Sequence, residues 1–179
     1  MKEASDYILS EVKESLQNID PEVSEAVCDA LIKAGTVFVY GVGRSGLVGK
    51  AFSVRLVQMG LEVHFVGDTT TPIVDKGDLV LIISNTGETM SAVQTANIVG
   101  RIGAVVITIT SNQHSKLGRA ARLVVEIQAG RSEERARLAP LGTLFEVGCM
   151  IYLDTLVPML MSRLDQTEAS MRKRHAIWV

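Results

Sequence analysis

Two short loops carry the glycines and hydroxyls of this chain that are suited to holding an anion. Gly41-Val42-Gly43-Arg44-Ser45-Gly46 follows one apolar run, and Ser84-Asn85-Thr86-Gly87-Glu88-Thr89 follows another. Each is expected between a strand and a helix, where unpaired backbone N–H groups and the helix dipole favour negative charge. Gly43 and Gly87 let the backbone come close to a ligand. Hydroxyls from Ser45, Ser84, Thr86 and Thr89 add neutral donors. A phosphate monoester held in this way is releasable, because no lysine or metal clamps it. The plainer alternative for Ser84 and Thr89 is that they cap a helix.

Two other phosphate motifs compete for the first loop. Residues 41–46 fit G-x-G-x-x-G, and Asp68 lies near the distance at which a dinucleotide fold keeps its ribose-binding acid. That reading leaves Ser84 to Thr89 unexplained. A P-loop ending at Gly49-Lys50 would need glycine where Arg44 stands and a hydroxyl where Ala51 stands.

Carbonyl chemistry would need a base, and Glu146 is the candidate. Helical spacing sets it on a face with Gly142, Cys149, Met150 and Leu153, a poor place for an idle carboxylate. The alternative is a Glu146 exposed at a helix turn or paired with an arginine. Histidines number three. His175, behind the basic run 172–174, is the candidate acid. It is otherwise a surface tail residue. His64 lies within a strand and is read as packed and structural; His114, after Thr110-Ser111-Asn112, is read as a cap or a solvent contact. Arg44 either meets the ligand's hydroxyls or phosphate, or serves as an exposed cap or a subunit salt bridge. Thr69 to Thr71, ahead of Pro72, are expected in a turn.

The elements that must position these groups follow from periodicity. Residues 3–34 carry two helical patterns, with Asp20 as N-cap and Pro21 as the first residue of the second. Short apolar runs predict strands over 36–42, 62–66, 78–84, 104–110 and 122–127, and helices are expected over 45–59, 89–101, 114–120 and Pro140 to about Leu164. Alternating strands and helices define a three-layer α/β fold with a five-stranded parallel sheet flanked by helices. We expect one domain over 1–179: N-terminal helices at 3–34, an α/β core at 36–165 and a tail at 166–179.

Composition narrows the function. The 179 residues are 47% hydrophobic and 21% charged, with a net charge of −2 and only 4% aromatic. No basic stripe or stacking platform points to nucleic acid as a partner. The basic stretches 131–137 and 172–174 are read as solvated patches. Without a signal-like apolar run at its start, and with Leu79–Ile83 as its longest aliphatic block, the chain is expected to be cytoplasmic, with no membrane partner. Cys28 and Cys149 lack metal-ligand spacing and are read as small buried side chains.

Taken together, "YGVGRSG" and "ISNTGET" resemble the sugar isomerase (SIS) domain family, the second loop through the pattern S-x-[ST]-G-x-[ST]. "HFVGDTTTP", "LAPLGTLFE" and "RKRHA" are similar to its single-domain 6-phospho-3-hexuloisomerase members. The chain departs from their R-H-A-N-like tail just after His175. The resemblance implies a flavodoxin-like strand order 2-1-3-4-5, a phosphosugar at the carboxyl ends of the strands, and a homotetramer with sites near subunit contacts. It places phosphate at Ser45, Ser84, Asn85, Thr86 and Thr89. The implied reaction interconverts D-arabino-3-hexulose 6-phosphate and fructose 6-phosphate through an enediol, with Glu146 as base, His175 as acid at the carbonyl oxygen or in furanose ring opening across a subunit boundary, no nicotinamide cofactor and no obligatory metal. Arabinose 5-phosphate and sedoheptulose 7-phosphate isomerases are neighbouring possibilities. A phosphosugar-binding regulatory module without catalysis is the competing class.

Overall fold

The computed structural model describes residues 1–128, 130 and 132–176. Arg131 of the basic stretch and the last three tail residues, 177–179, lie outside the described residues. The elements run α1 (Lys2–Gln17), α2 (Pro21–Lys33), β1 (Val37–Gly41), α3 (Gly43–Gln58), β2 (Val63–Phe65), β3 (Leu79–Ile83), α4 (Met90–Ile102), β4 (Val105–Thr110), α5 (Lys116–Ala120), β5 (Leu123–Glu126), α6 (Arg135–Leu138), α7 (Thr143–Arg163) and α8 (Glu168–Lys173). The strands form one parallel sheet in the order β2-β1-β3-β4-β5. This is the expected three-layer fold with the 2-1-3-4-5 order.

Side-chain alternation along the strands explains the layers. Val37, Val39, Leu79, Leu81, Ile83, Ile107 and Ile109 face a core shared with α2, α3 and α7. Phe38, Val80, Ile82 and Val106 face the other way, onto Ala92, Ala96 and Val99 of α4 and Leu117 of α5. A strand buried on both faces must be apolar at every position, and β3, Leu-Val-Leu-Ile-Ile, is buried at all five.

Helix starts follow their capping chemistry. Asp20 accepts the Glu22 N–H at 2.9 Å, with Pro21 at the first helical position. The expected start of α7 at Pro140 is corrected to Thr143. Leu141 takes a left-handed φ of 58°, which a helix cannot contain, and Thr143 Oγ1 turns back to the Pro140 carbonyl at 2.7 Å. Glu146 therefore sits in the first turn of α7. Within the tail, Thr167 and Ser170 form a capping box that starts α8, a helix the periodicity did not suggest.

Among the described helices α7 alone is long and apolar enough to cross a membrane. Its apolar residues have a different explanation. Phe145, Cys149, Tyr152, Leu153, Leu156 and Leu160 are buried in the core against α2 and α3, and Leu144 packs with Val12 of α1.

Candidate functional site

Because β1 and β3 are neighbours, with Gly41 in register with Ile83, the loops that leave them open side by side at the carboxyl edge of the sheet. One leads through Val42 into α3, the other through Ser84 to Thr89 into α4. Neither helix start carries a side-chain cap hydrogen bond. Val42 has no polar group to offer, and Thr89 stands at the N-cap position without making the bond. The first N–H groups of two adjacent helices thus lack side-chain partners, the condition under which a helix N-terminus takes an anion. The capping alternative for Thr89 does not describe its geometry.

Between the two loops lies a cavity of about 130 Å³, lined by Val42, Ser45, Ile83, Ser84, Asn85, Thr86, Thr89 and Ala92. It is well below the ~300 Å³ at which pockets begin to enclose whole small molecules, and suits one headgroup. Ser45 and Ser84 are buried, and Ser84 Oγ donates to Thr89 Oγ1 at 3.3 Å. Thr86 Oγ1 accepts the Glu88 N–H at 3.2 Å, closing a local turn. Gly87 has φ 65°, and a Cβ there would fall 2.1 Å from Ser115 Oγ. Gly43 has φ 59°, which favours glycine at this turn, and open space where its Cβ would be.

Asn85 is anchored from the next strand. Its carbonyl accepts from Thr110 Oγ1 at 3.0 Å, from Ser111 Oγ at 2.8 Å and from Ser111 N–H at 2.9 Å. These two residues were missed as part of the site. Their signal was the polar close, Thr110-Ser111, of a mostly apolar run. Glu88 pairs with Lys116 at 2.9 Å, and that ammonium holds its carboxyl below the usual carboxylate range.

Beside the cavity, the first turn of α7 brings in Glu146. Its Oε2 accepts from Arg44 Nε, so of the two alternatives for its environment, pairing with an arginine is the one observed. The Glu146 side chain is 11% exposed and that of Arg44 68%, so Arg44 lies on the solvent side. Gly142 separates Glu146 from Asn85. A Cβ on Gly142 would sit 3.0 Å from Glu146 Oε1 and 3.3 Å from Asn85 Nδ2. Arg44, Ser45, Ser84, Asn85, Thr86, Thr89 and Glu146 thus lie in one region at the strand ends.

His175 is elsewhere in the chain. It follows α8, beside Arg55 and Gln58 at the far end of α3, and neighbouring Arg174 donates to the Gln58 carbonyl at 3.2 Å. Thirteen residues of helix separate Ser45 from Gln58, roughly 20 Å along the axis. His64 stacks at 5.8 Å from Phe38 and bonds Glu62 at 2.9 Å, a packed structural role. His114 is exposed in a turn closed by its own N–H to Asn112 Oδ1 at 3.0 Å. Thr71 Oγ1 bonds the Phe65 and Asp68 carbonyls, as a turn residue does. Asp68, the acid of the dinucleotide reading, lies 3.5 Å from Lys50. Cys28 and Cys149 are buried; burial, helped by Asp29, pushes the Cys28 thiol up to about 11, and burial raises Cys149 further.

The fold and site define a doubly wound α/β domain with a pair of anion-suited loops at its strand ends. Residues 30–151 match the family model described as the SIS domain. The chain belongs to the SIS domain family. It is 32% identical over 173 residues to a Bacillus subtilis protein named 3-hexulose-6-phosphate isomerase, covering 94% of each chain. It is 37% identical over 175 residues to an uncharacterized protein of Archaeoglobus fulgidus, covering 95% of this chain and 96% of the relative. The crystal structure of a Methanococcus jannaschii protein, whose description infers a 3-hexulose-6-phosphate isomerase function, superposes with a TM-score of 0.86 at 33% identity over 100% of both chains.

Proposed function

We propose that this protein is a phosphosugar isomerase that interconverts D-arabino-3-hexulose 6-phosphate and fructose 6-phosphate. The observation that carries the reading is the pairing of a headgroup-sized, hydroxyl-lined cavity between two uncapped helix starts with a largely buried carboxylate across the bare Cα of Gly142. The names borne by relatives of near-equal length support the choice of sugar.

In the proposed reaction the phosphate binds the N–H groups at the starts of α3 and α4 and the hydroxyls of Ser45, Ser84, Thr86 and Thr89. The sugar then extends toward Gly142. Glu146 removes the proton on C2, the C3 carbonyl oxygen gains a proton, and an enediol forms. Return of a proton to C3, with loss of the hydroxyl proton at O2, leaves the carbonyl at C2. The conversion is redox-neutral overall. Asn85 Nδ2, beside the same gap, is placed to donate to the oxygen on which charge develops. We place the protein in a homotetramer, in which His175 of a neighbouring copy supplies the acid that its own copy's position does not.

The test is a coupled assay for fructose 6-phosphate formed from the 3-hexulose ester. Turnover by folded protein is expected, with and without chelator. Stabilisation by phosphosugar with no turnover would make the protein a binding module instead.

A further inference from the structure

Arg44 and Glu146 reach the site from different elements. Arg44 is the second residue of α3, next to Ser45 of the cavity wall, whereas Glu146 comes from the first turn of α7. Their side-chain exposures, 68% and 11%, put Arg44 on the solvent side of Glu146, where it holds one carboxylate oxygen. Two features make this hold exchangeable. A solvent-exposed guanidinium is bound only modestly by its partner, because water and salt screen the attraction. Moreover Nε is one of five donors on the fork, and it is the one that carries the hydrogen bond of Arg44 among the described residues.

A phosphate in the cavity lined by Ser45, Ser84, Thr86 and Thr89 would sit beside the turn that carries Arg44. A dianion with three acceptor oxygens matches the guanidinium fork better than a single carboxylate oxygen does. While Oε2 accepts from Arg44, the carboxylate is held in one orientation, with Oε1 toward the gap at Gly142.

We propose that Arg44 is an exchangeable positioning residue: it holds Glu146 through Oε2 while the cavity is empty and turns to the phosphate when the cavity fills, so that the carboxylate can reorient only with a phosphorylated ligand in place. The inference rests on the phosphate-cradle reading above and adds a selectivity to it. A sugar without the phosphate group meets a carboxylate whose Oε2 is still tied to Arg44.

The test is a titration of inorganic phosphate into isotopically labelled protein, followed by NMR at three places: the backbone amides of residues 84–89, the Arg44 Nε–H and the Glu146 carboxyl carbon. The side-chain signals are assigned by their loss in Arg44→Gln and Glu146→Gln. In the wild type all three are expected to shift along one saturation curve. In Arg44→Gln the amides of 84–89 should still respond, at about tenfold higher phosphate, the factor one charge-assisted contact carries, while the Glu146 carbon stays still. A Glu146 carbon that moves equally in both proteins, or that stays still in the wild type while the amides shift, overturns the exchange and leaves the cradle intact. Amides of 84–89 that ignore phosphate overturn the cradle and the exchange together.

Discussion

Glu146 Oε1 lies 3.0 Å from the point where Gly142 would carry a Cβ, and Asn85 Nδ2 lies 3.3 Å from the same point. The missing side chain therefore keeps open the space between a carboxylate and an amide. Gly142 has an ordinary φ of −90°, so alanine fits the backbone without strain. Gly142→Ala is expected to melt near the wild-type temperature and to lose about 10²-fold in kcat/KM, the scale of a small misplacement of reacting groups. Full activity in this variant would place the reacting carbons elsewhere.

Glu146→Gln preserves shape while removing the ability to accept a proton. If Glu146 is the base, kcat should fall by about 10²- to 10⁴-fold. Phosphosugar affinity, measured by calorimetry, should be retained. Turnover near the wild-type rate would remove Glu146 from the chemistry.

The hydroxyl at Ser84 is buried in the cavity wall, and its loss should act on binding. Ser84→Ala is expected to weaken the phosphosugar complex by about 0.5–1.5 kcal/mol, the usual net worth of one hydrogen bond. The effect should appear chiefly as a higher KM. An unchanged KM alongside a lowered kcat would contradict this assignment.

Gly87 is constrained twice, by φ 65° and by the 2.1 Å that would separate its Cβ from Ser115 Oγ. Gly87→Ala should destabilise the fold by about 1–3 kcal/mol. For a chain of this size each kcal/mol lowers Tm by roughly 2–4 °C. Calorimetry that finds no drop would show that the bend relaxes at no cost.

Alkaline stability follows from three buried acids. Burial pushes Cys28 up to about 11 and Tyr152 up to about 12, and raises Cys149 as well. In each case the folded state holds its proton more tightly than the unfolded chain does. Their contribution is thus complete below the unfolded thiol value of 9.0 and erodes as pH rises from there toward 12. Tm should decline progressively above pH 9, and neither thiol should react with a disulfide reagent at pH 8 without denaturant. Rapid modification of both thiols in the native protein would contradict this.

How much was legible in the sequence differs between sheet and site. Strands buried on both faces must be continuously apolar, so runs such as Leu79–Ile83 announced themselves, and Asp20-Pro21 marked a helix start by local chemistry. The start of α7 was misplaced because Pro140 is equally at home in the turn that Leu141 closes with a left-handed backbone, a conformation no residue type there advertises. α8 depended on a Thr167–Ser170 capping box in a polar tail with little apolar period. The paired loops were legible because their glycines and hydroxyls are contiguous in the chain and directly follow apolar runs. The Arg44–Glu146 contact spans 102 positions, and the clasp of Thr110 and Ser111 on Asn85 spans about 25, so only the fold could reveal them.

The clasp on the Asn85 carbonyl, one donor from Thr110 at the end of β4 and two from Ser111 just past it, means that the second loop would have little conformational freedom to surrender to the proposed anion. Docking of a headgroup should then resemble a key entering a lock already cut. Crystals grown with and without ligand should superimpose at residues 84–87, and any movement should be confined to side chains such as Arg44.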